Sequence, residues 1–438
     1  MYFLCGLVPE EVYVRLTRRR CFHFCAVLCA GIFFAPLATA QQGVPLTLAE
    51  AEDISSAHEP GQAALLAQAS ALDDQAAAAG QLPDPTLSVG LGNFPISGGG
   101  FSTEGMTQAQ LGIRQVFTRG RARTLGTERL QAMAAERKRN AEARSRDVLT
   151  ATRIAWLDTF YWQRAQRILK ESRPFFEDLV NVTRSMYAVG RKSQHDVLRA
   201  ELELSRLDDR LIEASRARAE GQARLSQWIG QDASRPVAMK LPDWSRPPTL
   251  ADLERQLDQH PGVVAADTAV RALHASVDLA KESYKPDWAL DIAYGYREGF
   301  LPSGEPRSDF VSVSVSVDLP VFRQNRQDRR LAAALSERRA AVETRNEVHT
   351  QMRSELALQH ARWNDLNRRL SLYENQILNQ SRGQAQAALL AYQSDAGDFA
   401  DVMRGSVDDL NTRLEYTRLK VERAQSYAVL ANLGGIPR

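Results

Sequence analysis

Cysteine is almost missing from this 438-residue chain. There are four, and Cys5, Cys21, Cys25 and Cys29 all fall near the start. The remaining four hundred or so residues therefore have no disulfide framework, no thiol nucleophile and no cysteine metal site. Neither is there a charge imbalance. Lys and Arg number 55 against 53 Asp and Glu, a formal net charge of +2. The basic residues alternate with acidic ones, as on solvated helix faces, which argues against nucleic acid as a partner. Beyond the N-terminal segment no apolar stretch is long enough to cross a bilayer as a helix. Histidine is sparse: His58, His195, His260, His274, His349 and His360 are scattered, without the i, i+4 or H-E-x-x-H spacing of a metal site. Gly98-Gly99-Gly100 lies between two strand-like stretches, so it is not a phosphate loop feeding a helix. No catalytic constellation is left, and the chain is expected to be no enzyme and to need no cofactor or metal.

What is present begins with a secretory signal. Arg15, Arg18, Arg19 and Arg20 precede the apolar run CFHFCAVLCAGIFFAPL, and Ala38-Thr39-Ala40 stands before Gln41. These are the charged, apolar and small-residue parts of a cleaved leader over 1–40. An uncleaved anchor is the alternative, but the run is short for a spanning helix. Cys29 follows Leu28 rather than a small residue, which speaks against lipidation there.

The mature part repeats itself. YAVGRKSQHDVLRA, from Tyr187, and YQSDAGDFADVMRG, from Tyr392, share an outline at a shift of 392 − 187 = 205 residues. Each half runs in the same order: an alanine-rich helix with an early Pro-Gly (Pro60-Gly61, Pro261-Gly262), a Pro-Asp, an alternating strand, a Gly/Ser/Pro loop, a second alternating strand, then long helix. The first repeat is placed at 41–230, with strands at about 85–94 and 107–117 and a coiled-coil hairpin at 119–229. A linker at 231–248 leads to the second repeat at 249–438, with strands at about 287–297 and 309–319 and a hairpin at 323–432.

In the strands Leu87, Val89, Leu91, Leu111, Ile113, Leu290, Ile292, Val311, Val313 and Val315 alternate with small or polar residues. Their length of about ten residues is what a tilted strand needs to cross a membrane. Four strands cannot close a barrel, and open edges are not tolerated in lipid, so the hairpins would be shared among subunits. Two chains give eight strands and three give twelve; strand physics does not choose. The alternative is a two-stranded ribbon on a soluble core.

The helix from Arg121 to Tyr187 would be roughly 100 Å long. A heptad series, Ile154, Tyr161, Ile168, Phe175, Val182 and Val189, is expected to face the returning helix. The returning helix offers Val197, Leu204, Leu211 and Leu225 beside Ala200, Leu207, Ala214, Gly221 and Trp228. The second half repeats this with Val407, Leu414, Val421 and Ala428 beside Leu410, Thr417, Ala424 and Ala431. Pro174 should kink the first long helix. Gly190 and Asp395-Ala396-Gly397 mark the turns where the long helices reverse. Asp395, Asp398 and Asp401 stand three apart, so symmetry-related copies would stack acidic rings at that end.

This duplicated helix, hairpin, long helix and tip, with Tyr-x-Val-Gly at Tyr187 to Gly190 and Asp196-Val197 six residues on, resembles the TolC-type outer membrane efflux proteins over essentially all of the mature chain. The resemblance implies a mostly α fold with a small membrane β part: a trimer whose twelve-stranded β-barrel continues into a periplasmic α-helical tunnel. It implies an exit duct of a tripartite pump in the outer membrane of a Gram-negative bacterium. Its partners would be outer membrane lipid, a periplasmic adaptor and an inner-membrane transporter. It further implies docking of the adaptor at the tip, here Tyr187, Gly190, Arg191, Ser193, Asp196 and Tyr392, and a pore gate at Asp395, Asp398, Asp401 and Arg404. Arg404 departs from the family, where some members are acidic, and suggests an Asp401–Arg404 contact between subunits. LPDPTLSVGLGNFP followed by MTQAQLGIRQVF is similar to the outer membrane components of heavy-metal cation efflux systems, with drugs as the other cargo class. A non-conducting periplasmic coiled-coil scaffold or pump adaptor is the alternative function.

Overall fold

The computed structural model describes residues 44–436 apart from His58 and Ser245. The expected signal over 1–40 and His58 lie outside the described residues.

Each half is built from the same parts. Helices α1 (Leu48–Ala57) and α2 (Pro60–Ala79) lead to strands β1 (Thr86–Gly92) and β2 (Gln108–Phe117), then α3 (Ala122–Ala188) and α4 (Gln194–Ile229). In the second half α5 (Leu250–Leu257) and α6 (Pro261–Glu282) lead to β3 (Asp287–Tyr296) and β4 (Phe310–Asp318). Then come α7 (Gln327–Leu372), a π-helical turn over Tyr373–Ile377, α8 (Leu378–Gln393) and α9 (Phe399–Leu433). The 205-residue shift carries Ala122 onto Gln327 and Ala188 onto Gln393, so the α7–α8 path matches α3 residue for residue. The second copy differs by its π turn. There the Tyr416 hydroxyl donates to Glu374 at 2.7 Å, bracing the widened turn from α9.

Local chemistry sets the boundaries. Pro60 and Pro261 occupy first helical turns, where a missing N–H costs nothing, after Glu59 and His260 as side-chain caps. Ser193 opens α4 with a capping box: its Oγ accepts from the Asp196 N–H at 3.3 Å, while the Ser193 N–H donates to the Asp196 carboxylate. Pro174 lies inside α3 without ending it.

The four strands form one antiparallel sheet in the order β1-β2-β3-β4, so the hairpins of the two halves lie edge to edge. The register aligns Leu87, Ile113, Ile292 and Val313 in one row and Val89, Leu111, Tyr294 and Val311 in the next. All of these point to one face, and all are exposed in the single chain. The opposite face carries Gly112, Ala293 and Ser312, with Arg114, Asp291 and Ser316 linked by an ion pair at 3.8 Å and hydrogen bonds at 3.3 and 3.4 Å. Among the described residues no helix is long and apolar enough to cross a membrane.

The helical core has two main parts. One packs Trp156, Leu157, Phe160 and Leu225 against Leu46 and Val237. There the chain entering α1 lies parallel to the segment after α4. The Leu46 N–H donates to the Pro236 carbonyl and the Ala238 N–H to the Leu46 carbonyl, each at 2.9 Å, and Trp156 Nε1 donates to the Leu46 carbonyl at 3.1 Å. A buried Arg153–Glu52 pair at 2.6 Å closes it, with the guanidinium over the Trp244 ring. The other core runs toward the tip through Ile168, Phe176, Leu179, Leu207, Phe399 and Leu410.

Along the expected seams of α4 and α9, Val197, Ala200, Leu207 and Ala214 and then Leu410, Thr417, Val421 and Ala424 are buried, while Leu204, Leu211, Val407 and Leu414 are half-buried against the same core. The heptad series assigned to α3 does not hold along its length. Tyr161 and Ile168 are buried, but Phe175, Val182 and Val189 are 37%, 45% and 70% exposed, and Phe176, Leu179, Val180 and Thr183 take the seam instead. A straight helix drifts ~20° per heptad relative to a seven-residue repeat, so over the five heptads from Ile154 to Val189 the stripe turns ~100° away from its partner.

Candidate functional site at the helical tips

Both reversals are built by the same hydrogen bonds. At the end of α3 the Gly190 N–H donates to the Tyr187 carbonyl and the Arg191 N–H to that of Met186, each at 2.9 Å, with Gly190 at φ +73°. At the end of α8 the Asp395 N–H donates to Tyr392 and the Ala396 N–H to Ala391, with Asp395 at φ +56°. These are two Schellman closures at equivalent positions. Glycine takes the left-handed position freely, and aspartate is among the few other residues that tolerate it. Asp395 therefore stands where Gly190 stands in the first copy, and its carboxylate is held at the apex of the turn.

Lys192 joins the two tips. Its ammonium lies 3.3 Å from Asp395 Oδ1 and 4.5 Å above the centre of the Tyr392 ring. Tyr392 is 2% exposed, tilts against Phe399 and directs its hydroxyl at Met186 Sδ, 3.6 Å away. Burial pushes its phenol above the ordinary value, so it stays neutral beside the lysine.

Of the residues assigned to docking, Tyr187, Gly190, Arg191 and Ser193 are exposed around the first turn. Ser193 and Asp196 are occupied with each other in the capping box. Tyr392 is placed inside the tip core, where it holds Lys192 and offers no outer surface. The burial rule explains this: a ring between two helix ends removes more apolar area from water than one left outside.

The aspartates assigned to the gate are split. Asp395 is paired with Lys192, Asp398 is the N-terminal flanking residue of α9, and Asp401 lies in its first turn. The Asp401–Arg404 contact, expected between subunits, forms within one helix at 3.1 Å with i, i+3 spacing. It needs no second chain, and as an exposed helical pair it contributes about 0.2–0.5 kcal/mol. Counting Asp395, Asp398, Asp401, Lys192 and Arg404, each chain brings −3 + 2 = −1 to this end. Lys192 and Met186 are not evident as site residues from sequence, because the Asp395 and Tyr392 side chains they touch lie in the other repeat. The shift of 205 puts Asp395 over Gly190 and marks the two turns as equivalent, but it does not say that they touch. No group of three or more His, Asp or Glu poised for a metal occurs among the described residues.

No protein-family model matches the chain. Among curated proteins it is similar to protein CyaE of Bordetella pertussis, 26% identical over 263 residues, which is 57% of this chain and 54% of that protein. The chain thus matches about half the length of that relative. Solved structures match almost throughout. The outer membrane protein VceC from Vibrio cholerae superposes with a TM-score of 0.74 at 18% identity, covering 89% of this chain and 96% of its own. The Campylobacter jejuni CmeC outer membrane channel gives 0.75 at 13% identity over 89% and 85%. The Neisseria gonorrhoeae MtrE outer membrane channel, in its open state, gives 0.70 at 16% over 89% and 88%. The fold is that of outer membrane channels. In this chain the 67-residue helix α3 separates the exposed apolar sheet face from the first helical tip.

Proposed function

We propose that this chain is the outer membrane exit duct of a tripartite efflux pump. It acts as a trimer whose three four-stranded sheets close a twelve-stranded barrel, with the coiled coils forming a periplasmic tunnel. The observation that carries the reading is the sheet: one face on four strands that is apolar except for Gln115 and mostly exposed, with both outer edges, β1 and β4, unpaired among the described residues. In lipid such edges are costly, and β4 of one copy beside β1 of the next keeps the antiparallel alternation around a closed ring. The helices point the same way. Whereas α3 buries twenty of its 67 residues, α7 buries five of 46 and leaves Leu335 and Val342, seven residues apart on one side of the helix, exposed and suited to a neighbouring copy. The first tip would dock a periplasmic adaptor that delivers cargo from an inner-membrane transporter.

The cargo class we propose is heavy-metal cations, on the likeness of the Leu82–Pro95 and Met106–Phe117 segments to the outer membrane components of such systems. Fractionation of cells expressing the full chain should give a heat-resistant oligomer in the outer membrane. A strain lacking it should lose growth on heavy-metal salts; lost growth on drugs alone would move the cargo class. A soluble periplasmic monomer would favour the scaffold or adaptor reading.

A further inference from the structure

The junction between strands and long helices carries arginine where helix physics disfavours it. F-T-R-G-R-A-R-T-L-G-T-E-R-L (117–130) and L-P-V-F-R-Q-N-R-Q-D-R-R (319–330) hold eight arginines and two carboxylates. The shift of 205 brings Phe117 onto Phe322 and Arg121 onto Arg326. Arg121 and Arg326 flank the N-termini of α3 and α7, and neither helix has a side-chain cap there. A helix N-terminus carries partial positive charge and unpaired N–H groups, so arginines at that end raise the energy of the free protein.

The nearby carboxylates are already engaged. Asp287 takes the Arg119 guanidinium at 2.9 Å, Glu282 takes Lys285 at 2.7 Å and the Arg121 N–H at 3.0 Å, and Asp328 accepts from the Tyr284 hydroxyl at 2.6 Å. Arg326, just before α7, and Arg329 and Arg330 in its first turn are exposed with no side-chain partner among the described residues. Arg330 lines a cavity of about 370 Å³ together with Thr118, Arg119, Arg129 and Leu279 among others. Thr118 Oγ1 and Arg129 Nε, both on this cavity, are buried with no hydrogen-bond partner. Two orphaned donors and an excess of guanidinium groups call for an anion with several acceptor oxygens.

The cavity's position names the anion. Phe117 stacks on Trp288 at 4.1 Å at this end of the apolar sheet face, an aromatic edge of the kind that sits at the level of lipid headgroups. Leu319, Val321 and Phe322, just past β4, are exposed as well. We infer that the strand–helix junction is a binding collar for anionic phospholipid of the inner leaflet, its phosphate seated among Arg129, Arg330 and Thr118 and its acyl chains on the apolar strand face. The inference rests on the membrane reading of the strands under Proposed function.

The full chain is reconstituted in phosphatidylethanolamine bilayers with and without phosphatidylglycerol, and the lipid retained by the detergent-extracted protein is read by native mass spectrometry. Wild type should enrich phosphatidylglycerol. Replacing Arg326, Arg329 and Arg330 together by glutamine should reduce that enrichment, at about fivefold per arginine that contributes. Arg339→Gln, farther along α7, should leave it unchanged. Arg129→Gln tests the buried donor, and the exposed triple variant keeps the test valid if that change impairs folding. Equal retention of the two lipids by wild type, or unchanged enrichment in the triple variant, overturns the collar while leaving the barrel intact. Failure to enter either bilayer overturns the membrane reading and the collar with it.

Discussion

His260 shows how a single side chain ties the helical frame to pH. It caps α6 from a buried position: Nδ1 accepts the Gly262 N–H at 3.1 Å, and Nε2 faces Asn432 Oδ1 on the last turn of α9 at 3.5 Å. Burial holds its pKa below the ordinary 6.5, and Arg146 adds to that. The Asn432 bond and Asp147 act in the opposite direction and are outweighed. With the folded pKa depressed for a base, the unfolded chain binds the proton first. Stability is therefore intact above 6.5 and falls as pH drops from there toward the folded value. Protonation also removes the acceptor from the cap, worth about 1 kcal/mol. Thermal unfolding of the detergent-solubilised protein between about pH 8 and pH 5 should show this decline. His260→Asn retains a capping acceptor without titrating, so it should flatten that part of the profile; an unchanged slope would place the sensitivity elsewhere.

Strands and tips each carry a prediction at the level of the element. The register puts Val313 in a row with Ile292, Ile113 and Leu87, and Ser314 in the row of Asp291 and Arg114. Val313→Arg should cost ~2–4 kcal/mol in a bilayer and lower the yield of assembled protein, whereas Ser314→Arg joins a polar face and should assemble normally. Equal yields from the two would reverse or abolish the facing of the sheet. At the first tip, Gly190 sits at positive φ with open space around a Cβ. Gly190→Trp strains the Schellman turn by roughly 1 kcal/mol and places a bulky ring on the proposed docking surface. Oligomer yield should persist and export should fail; normal export would reduce this tip to a plain turn. The two hairpins were legible because period-2 alternation is short and strict, and the duplication was legible because Pro-Gly, Pro-Asp and tyrosine markers recur. The seam of α3 was not, since a seven-residue count cannot follow a straight helix for five turns of the pattern. Nor was the tip contact of Lys192 with Tyr392 and Asp395, which joins residues about 200 apart and depends on how the halves pack. The placement of Tyr392 in the core belongs to the same class: a tyrosine near a turn reads equally well as surface or anchor until its neighbours are known.

At the scale of the whole molecule, the proposed trimer would bring the tips into a ring, and charge bookkeeping decides what such a ring could do. Three bare aspartates per chain would give a trimer −9 at its narrow end, but Lys192 and Arg404 reduce the five-group sum to −1 per chain, or −3 for three copies. A field of that size acts over about a Debye length, ~8 Å at physiological salt, so in the proposed duct it would select ions at the mouth and not along the tunnel. Asp401 and Arg404 are both exposed and held only by a weak helical pair, which makes them the adjustable part of the sum. Asp401→Ala takes the trimer total to 0, and Arg404→Ala takes it to −6. In planar bilayers the first variant should lose cation preference and the second should strengthen it, with the wild type between them. Such opposite shifts arise only if these residues line the conducting path. A common loss in both variants would mean that the pair holds the tip shape, and identical traces in all three would remove Asp401 from the gate altogether.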